Sequence, residues 1–210
     1  CVAVVGCSGC GKITLLNLIL RLYDPWQGDI MFSESNIKQL KFSSLRRQIG
    51  IAMQESFLWN DTVFNNIKYS SENISEEQVI NVAKLTGVDE FVNELPDKYA
   101  TIVGENGCNL SEGQKQRIAI SRALIKNPKV IILDEAMSSI DSASEEKIIR
   151  NIKESYSNAT LIIVSHRFSV LNFTDLVYFI KNPSTIVISS PQEILQREIG
   201  LCNLFTLQSK

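Results

Sequence analysis

Apolar residues fall along this chain in two alternating patterns, short unbroken runs and helical spacings. Residues 2–5 read Val-Ala-Val-Val, the mark of a strand buried on both faces. A glycine-rich turn follows. Leu15, Leu16, Leu18, Ile19 and Leu22 then supply the apolar face of a helix, which Tyr23-Asp24-Pro25 and Gly28 end. Residues 27–32 and 49–53 predict two further strands, the second ending at Gln54. From about Ser56 to Ala119 the pattern turns helical. Ser75-Glu76-Glu77-Gln78 opens one capped helix there, and Pro96 and residues 104–107 break the region into loops. Strand patterns return at 130–133 and 160–164, on either side of a helix over 142–155. Residues 176–180 and 185–188 predict a hairpin around Lys181-Asn182-Pro183. Strands alternating with helices predict an α/β fold on a parallel sheet. The sheet core falls at 1–55 and 120–190, a mostly helical insertion at 56–119, and a helical tail at 191–210.

Composition narrows the function. The chain has 210 residues, which suits one domain with a sizeable insertion. Lys plus Arg number 21 against 23 Asp plus Glu, so nothing in the overall charge argues for a nucleic-acid partner. No apolar run approaches the ~18 residues that span a bilayer, and no signal peptide is visible. Because the chain opens at Cys1, directly inside an apolar run, it reads as a piece of something longer. Five cysteines, an odd count at irregular spacing, argue for a reducing compartment. Cys7 and Cys10 read as small residues of the glycine-rich turn, since no second Cys pair exists and His166 is the only histidine.

The turn itself carries chemistry. Gly6-Cys7-Ser8-Gly9-Cys10-Gly11-Lys12 follows a strand and opens a helix, matching the start of the phosphate-binding loop pattern. Glycines let backbone N–H groups cup phosphate oxygens. The helix directs its positive end at the same anion, and Lys12 adds a full charge. The pattern wants Ser or Thr next, as a Mg²⁺ ligand. Ile13 stands there instead, and Thr14, one position on, points about 100° away on a helix. ATP binding is expected from the cradle; Mg²⁺ binding is the weaker expectation. An acidic pair follows the apolar run 130–133: Asp134, suited to hold Mg²⁺ at the sheet's carboxyl edge, and Glu135, placed to act as general base on a water.

Residues 110–117, Leu-Ser-Glu-Gly-Gln-Lys-Gln-Arg, closely resemble the signature motif of ABC ATPases. Gln54 resembles the Q-loop glutamine, residues 138–141 the D-loop, and His166 the switch histidine. The resemblance covers essentially the whole chain and implies a RecA-like P-loop NTPase core with an inserted helical subdomain. It implies ATP and Mg²⁺ as cofactors. Gly6 to Thr14, Gln54, Ser111, Gly113 and Gln114 then contact nucleotide, Asp134 and Gln54 the metal, and Glu135 and His166 act in hydrolysis. It further implies a second such domain paired head to tail, a transmembrane domain on the same chain, and a place at the cytoplasmic face of the cell membrane. Residues 101–107 look like the exporter X-loop and 204–208 like the tail of bacterial type I exporters, which favours an exporter over an importer. Phe57, Leu58 and Trp59 form a candidate docking surface for the membrane domain, or an ordinary hydrophobic core.

Two residues depart from the family pattern. Ile13 replaces the Mg²⁺-ligating Ser or Thr, and Glu112 replaces a glycine. The family's adenine-stacking aromatic lies upstream of Cys1 together with antiparallel strands, so the adenine contact is unassigned; Tyr23, Trp26 and Trp59 suit core or interface packing. Two functions are in play: an ATP-hydrolysing exporter domain, and a hydrolysis-impaired ATP-binding half of a heterodimer. A soluble ABC ATPase acting on DNA or ribosomes would need coiled coils or a second cassette, and neither is present in these 210 residues.

Overall fold

The computed structural model describes residues 1–7, 9–69, 73–165, 168–182 and 184–197. In chain order the elements are β1 (Val2–Gly6), α1 (Lys12–Ile19), β2 (Met31–Phe32), β3 (Ser35–Asn36), α2 (Phe42–Arg47), β4 (Ile49–Ala52), α3 (Val63–Lys68), α4 (Glu76–Thr86) and α5 (Val88–Val92). They continue with α6 (Glu112–Leu124), β5 (Val130–Asp134), α7 (Ser142–Ser155), β6 (Thr160–Val164), β7 (Leu176–Asn182), β8 (Thr185–Ser189) and α8 (Pro191–Arg197). The chain divides into two units, residues 1–49 with 162–210, and residues 50–161.

In the first unit β1 runs parallel to β6 on one side and to β7 on the other. Ala3, Val4 and Val5 are all buried, as a central strand of a parallel sheet requires. The hairpin expected near residue 183 is present: β8 returns antiparallel along β7, pairing Tyr178 with Ile188.

Two expectations change here. The strand expected over residues 27–32 shrinks to Met31–Phe32, paired with Ser35–Asn36, because Gly28 turns the backbone at φ 78°. The helix after the glycine turn stops at Ile19, so Leu22 is exposed. Arg21 is the reason. It takes a left-handed φ of 51°, and the two bonds of a Schellman motif close there: Arg21 N–H to Leu18 O at 3.0 Å and Leu22 N–H to Asn17 O at 2.8 Å. Its guanidinium donates to Ile37 O and Leu40 O, which offsets the cost of a left-handed non-glycine residue.

In the second unit β4 and β5 lie side by side. Ile131, Ile132 and Leu133 are fully buried, as are Ile118, Ile120 and Leu124 of α6 and Ile149 of α7. Ser75 caps α4 through the reciprocal capping box its sequence predicts: Gln78 N–H donates to Ser75 Oγ and Ser75 N–H to Gln78 Oε1. Among the described residues, no helix is long and apolar enough to cross a membrane.

Candidate functional site

The glycine turn lies in the first unit. Its glycines serve two purposes. At Gly6 a Cβ would sit 2.5 Å from Ile180 O and 2.7 Å from Cys10 Sγ, so only glycine fits. At Gly9 and Gly11 a Cβ would meet nothing, but φ is 75° and 109°, so the backbone path demands glycine. Cys10 N–H closes onto Cys7 O at 3.3 Å, and both thiols are free; these two are turn residues, as expected. Lys12 is buried, and its ammonium donates to Gly6 O at 2.8 Å and Cys7 O at 2.9 Å. Two of its three donors thus tie the first turn of α1 back to the end of β1 and to Cys7. No side chain caps the N-terminus of α1, which leaves its first amides and dipole to an anion. A nucleotide phosphate fits this cradle.

The residues suit magnesium less well. Ile13 is 65 % exposed and carries no oxygen, and Thr14 is a neighbouring exposed residue of α1. The two residues expected to hold a metal, Asp134 and Gln54, lie in the second unit. Asp134 ends β5, Glu135 follows with φ 49°, and Gln54 is exposed two residues past β4. Ser8 and His166, and the tail residues 204–208, lie outside the described residues.

The second unit gathers the signature segment and the loop after Glu135. Ser111 is the N-cap of α6 and forms a second capping box: its Oγ accepts Gln114 N–H at 3.3 Å, and Gln114 Oε1 accepts Ser111 N–H at 2.9 Å. The Ser111 hydroxyl keeps its own proton to donate. Glu112 turns to Lys115, with 2.7 Å between carboxylate and ammonium, so this departure is a surface ion pair one turn along the helix. Gly113 has a steric cause, since a Cβ there would lie 2.8 Å from Ser139 O. Ser111, Gly113, Gln114, Arg117, Ser139 and Asp141 share a cleft of about 330 Å³. Asp141 caps α7 by accepting Ser144 N–H at 2.9 Å, and that backbone bond holds its carboxyl below the usual range.

Three further residues support the site in ways their sequence positions do not assign, two of them, Gln116 and Arg117, inside the signature segment. Gln116 is buried and bonds to Ser138 and Ser139. Arg117 bonds to Gly87 O and Ser144 Oγ. Arg122 donates to Asn66 O, Asn66 Oδ1 and Phe57 O, all at 2.8–2.9 Å, and burial lowers its pKa. The available signal is a polar residue on an apolar stripe, for Gln116 falls in line with Gly113, Ile120 and Leu124. Beside Arg122, Leu58 belongs to the core, whereas Phe57 and Trp59 are exposed and stack edge-on at 4.9 Å, with Tyr69 stacked on Trp59 at 4.8 Å. Trp26 is fully exposed and Tyr23 largely so, which removes the core reading for both.

Comparison with known proteins finds relatives over the whole chain. Residues 1–138 match the ABC transporter family. The chain is 42% identical over 207 residues to the ATP-dependent lipid A-core flippase of Legionella pneumophila (strain Paris), covering 99% of this chain and 35% of the flippase. It is 38% identical over 209 residues to the mitochondrial iron-sulfur clusters transporter ABCB7 of Danio rerio, covering 99% of this chain and 28% of that protein. A solved bacterial Atm1-family ABC exporter with ATP bound superposes with a TM-score of 0.91 at 36% identity, over 100% of this chain and 37% of the exporter. The chain therefore spans little more than a third of these relatives at most.

Proposed function

Since the chain belongs to the ABC transporter family, whose domains bind ATP, we propose that it powers an exporter by closing on ATP against a second such domain and reopening after hydrolysis. The observation that carries this reading is the glycine turn between β1 and α1, with Lys12 bonded back to Gly6 O and Cys7 O and no side chain capping α1. Residues 1–55 and 120–190 form the nucleotide-binding core, 56–119 the helical subdomain and 191–210 the tail. Gly6 to Lys12 wrap the phosphates through backbone N–H groups, and the Lys12 ammonium neutralises their charge. Ile13 and Thr14 continue the first turn of α1 beneath them. Ser111, Gly113 and Gln114 present a capped helix N-terminus and a hydroxyl donor to the terminal phosphate of the nucleotide held by the partner domain. Glu135 takes the proton of the attacking water, and His166 orients that water and the phosphate. Magnesium, when bound, neutralises phosphate charge; Asp134 and Gln54 are the residues here that would hold it.

The partner is a second ATPase domain placed head to tail, identical or not. A transmembrane domain, on the same chain, rests on the exposed Phe57–Trp59–Tyr69 aromatic cluster. The two ATPase domains lie at the cytoplasmic face of a cell membrane. ATP binding thus favours the closed pair and hydrolysis releases it, a shift of population driven by differential contacts.

The second reading, a half that binds ATP and scarcely hydrolyses it, is favoured by Ile13 alone. Mg²⁺-dependent phosphate release by the full-length protein carrying this chain separates the two. Unaltered protein that hydrolyses ATP, with an Ile13→Ser variant needing about tenfold less Mg²⁺, supports the first reading. Hydrolysis that emerges only in Ile13→Ser establishes the second. No affinity for adenine nucleotide, with or without Mg²⁺, rejects both.

A further inference from the structure

We propose that Gln116 is a positioning residue that links the signature helix to Glu135 through Ser138 and Ser139. The inference rests on the ATPase reading above and adds to it the side chain that joins two of its parts.

Gln116 sits in the second turn of α6 and is 2 % exposed. A buried primary amide is costly unless its atoms find partners. Its Nε2 donates to Ser138 Oγ at 2.9 Å and lies 3.5 Å from Ser139 Oγ, while its Oε1 accepts Ser139 N–H at 2.9 Å. One amide therefore holds both the side chains and the main chain of consecutive residues. Its neighbours bring the same two segments together. Gly113, one turn earlier, lets Ser139 O approach the helix backbone. Arg117, the next residue, donates to Ser144 Oγ at 2.9 Å and lies 3.8 Å from the Asp141 carboxylate.

The clamped segment leads straight back to Glu135. Ser138 N–H donates to Glu135 O at 3.1 Å and Ile140 N–H to Met137 O at 3.1 Å, so a single hydrogen-bonded turn separates Ser138 from Glu135. At its other end α6 begins at Ser111. When Ser111 is drawn to a phosphate, the helix moves as a body, and Gln116 carries that movement to Ser138 and on to the carboxylate. An apolar residue would fill the same place on the Gly113–Gln116–Ile120–Leu124 stripe without the desolvation cost. The amide adds directional bonds, which fix one arrangement of helix and loop where apolar packing tolerates several.

Two variants of the full-length protein test this. Gln116→Leu removes every bond; Gln116→Glu keeps the acceptor for Ser139 N–H and loses both donors. Under the proposal, Gln116→Leu lowers kcat for ATP about tenfold to a hundredfold, with KM and the affinity for a fluorescent ATP analogue within twofold of the unaltered protein. Amide exchange at Ser139 then accelerates in Gln116→Leu and stays slow in Gln116→Glu, whose kcat is intermediate. A wild-type kcat in Gln116→Leu overturns the proposal, as does a parallel loss of nucleotide affinity and melting temperature in both variants. If Gln116→Leu fails to fold, Gln116→Glu decides alone: unchanged kcat refutes the link, and reduced kcat at unchanged affinity upholds it. Unaltered protein that neither binds nor hydrolyses ATP shows instead that the ATPase reading itself fails, and the inference with it.

Discussion

Glu135 holds its backbone at φ 49°, a left-handed conformation that costs a non-glycine residue on the order of 1 kcal/mol or more. It follows Asp134, the last residue of β5, so the chain leaves the sheet through a sharp reversal that Ser138 N–H closes. The apolar run before Asp134 made both acids legible at a strand tip. The reversal was not legible, because alternation along a strand says nothing of φ at its end. Gly113 is the matching case on α6. The Cβ added by Gly113→Ala would lie 2.8 Å from Ser139 O. Backbone must shift, and we expect a loss of about 1–3 kcal/mol in denaturant unfolding, the cost of forcing extra carbon into packed structure. A helical glycine reads from sequence as a propensity loss; that a carbonyl from 26 residues downstream (139 − 113) occupies its place is tertiary information. Gln116 is illegible for the same reason.

Elements built on local signals follow their sequence closely. The helix over residues 142–155 has the bounds its pattern predicts, capped by Asp141, and α4 has the capping box written in Ser75 and Gln78. Elements cut short by a backbone turn do not. The strand over 27–32 shortens because Gly28 turns the backbone, and α1 ends early on a Schellman turn built from arginine rather than glycine. Between elements, Glu90 of α5 meets Lys147 of α7 at 2.6 Å and Arg117 of α6 at 3.3 Å. The hydrogen bond from Lys147 lowers the Glu90 pKa below 4.5 against a smaller opposing push from burial, and the charges of Lys147 and Arg117 add to the lowering. A depressed carboxylate pKa stabilises the fold above its unfolded value, and that stability fades as pH falls through the folded one. Glu90→Gln should therefore cost about 0.5 kcal/mol at pH 7, as exposed pairs do. The gap to the unaltered protein should begin to narrow as pH falls past the ordinary glutamate range, about 4.3, and close only below the depressed folded value, in melts run across acid pH.

For the molecule as a whole, the cradle is made of backbone and one lysine, so nucleotide should stabilise the fold before any metal is added. Ligand that binds only the folded state raises unfolding free energy by about 2.7 kcal/mol at a hundredfold excess over Kd. Thermal melts with ATP and a chelator should show an upward shift, and Lys12→Met should abolish most of it. The loop geometry behind this was legible, because glycine spacing after a strand specifies it. Position 13 was legible as a departure and stays one, an exposed isoleucine where an oxygen was wanted.

Arg122 gives the last turn of α6 a hold on Phe57 and Asn66 as firm as the hold Gln116 gives its second turn on Ser138 and Ser139. From Ser111 to Arg122 the helix runs roughly 16 Å, and a helix that short does not stretch or bend appreciably. It behaves as a connecting rod with a bearing at each end. A tilt imposed at Ser111 would then be expected to reach Phe57 and Trp59 through the Arg122 bonds, and a load there to return by the same route.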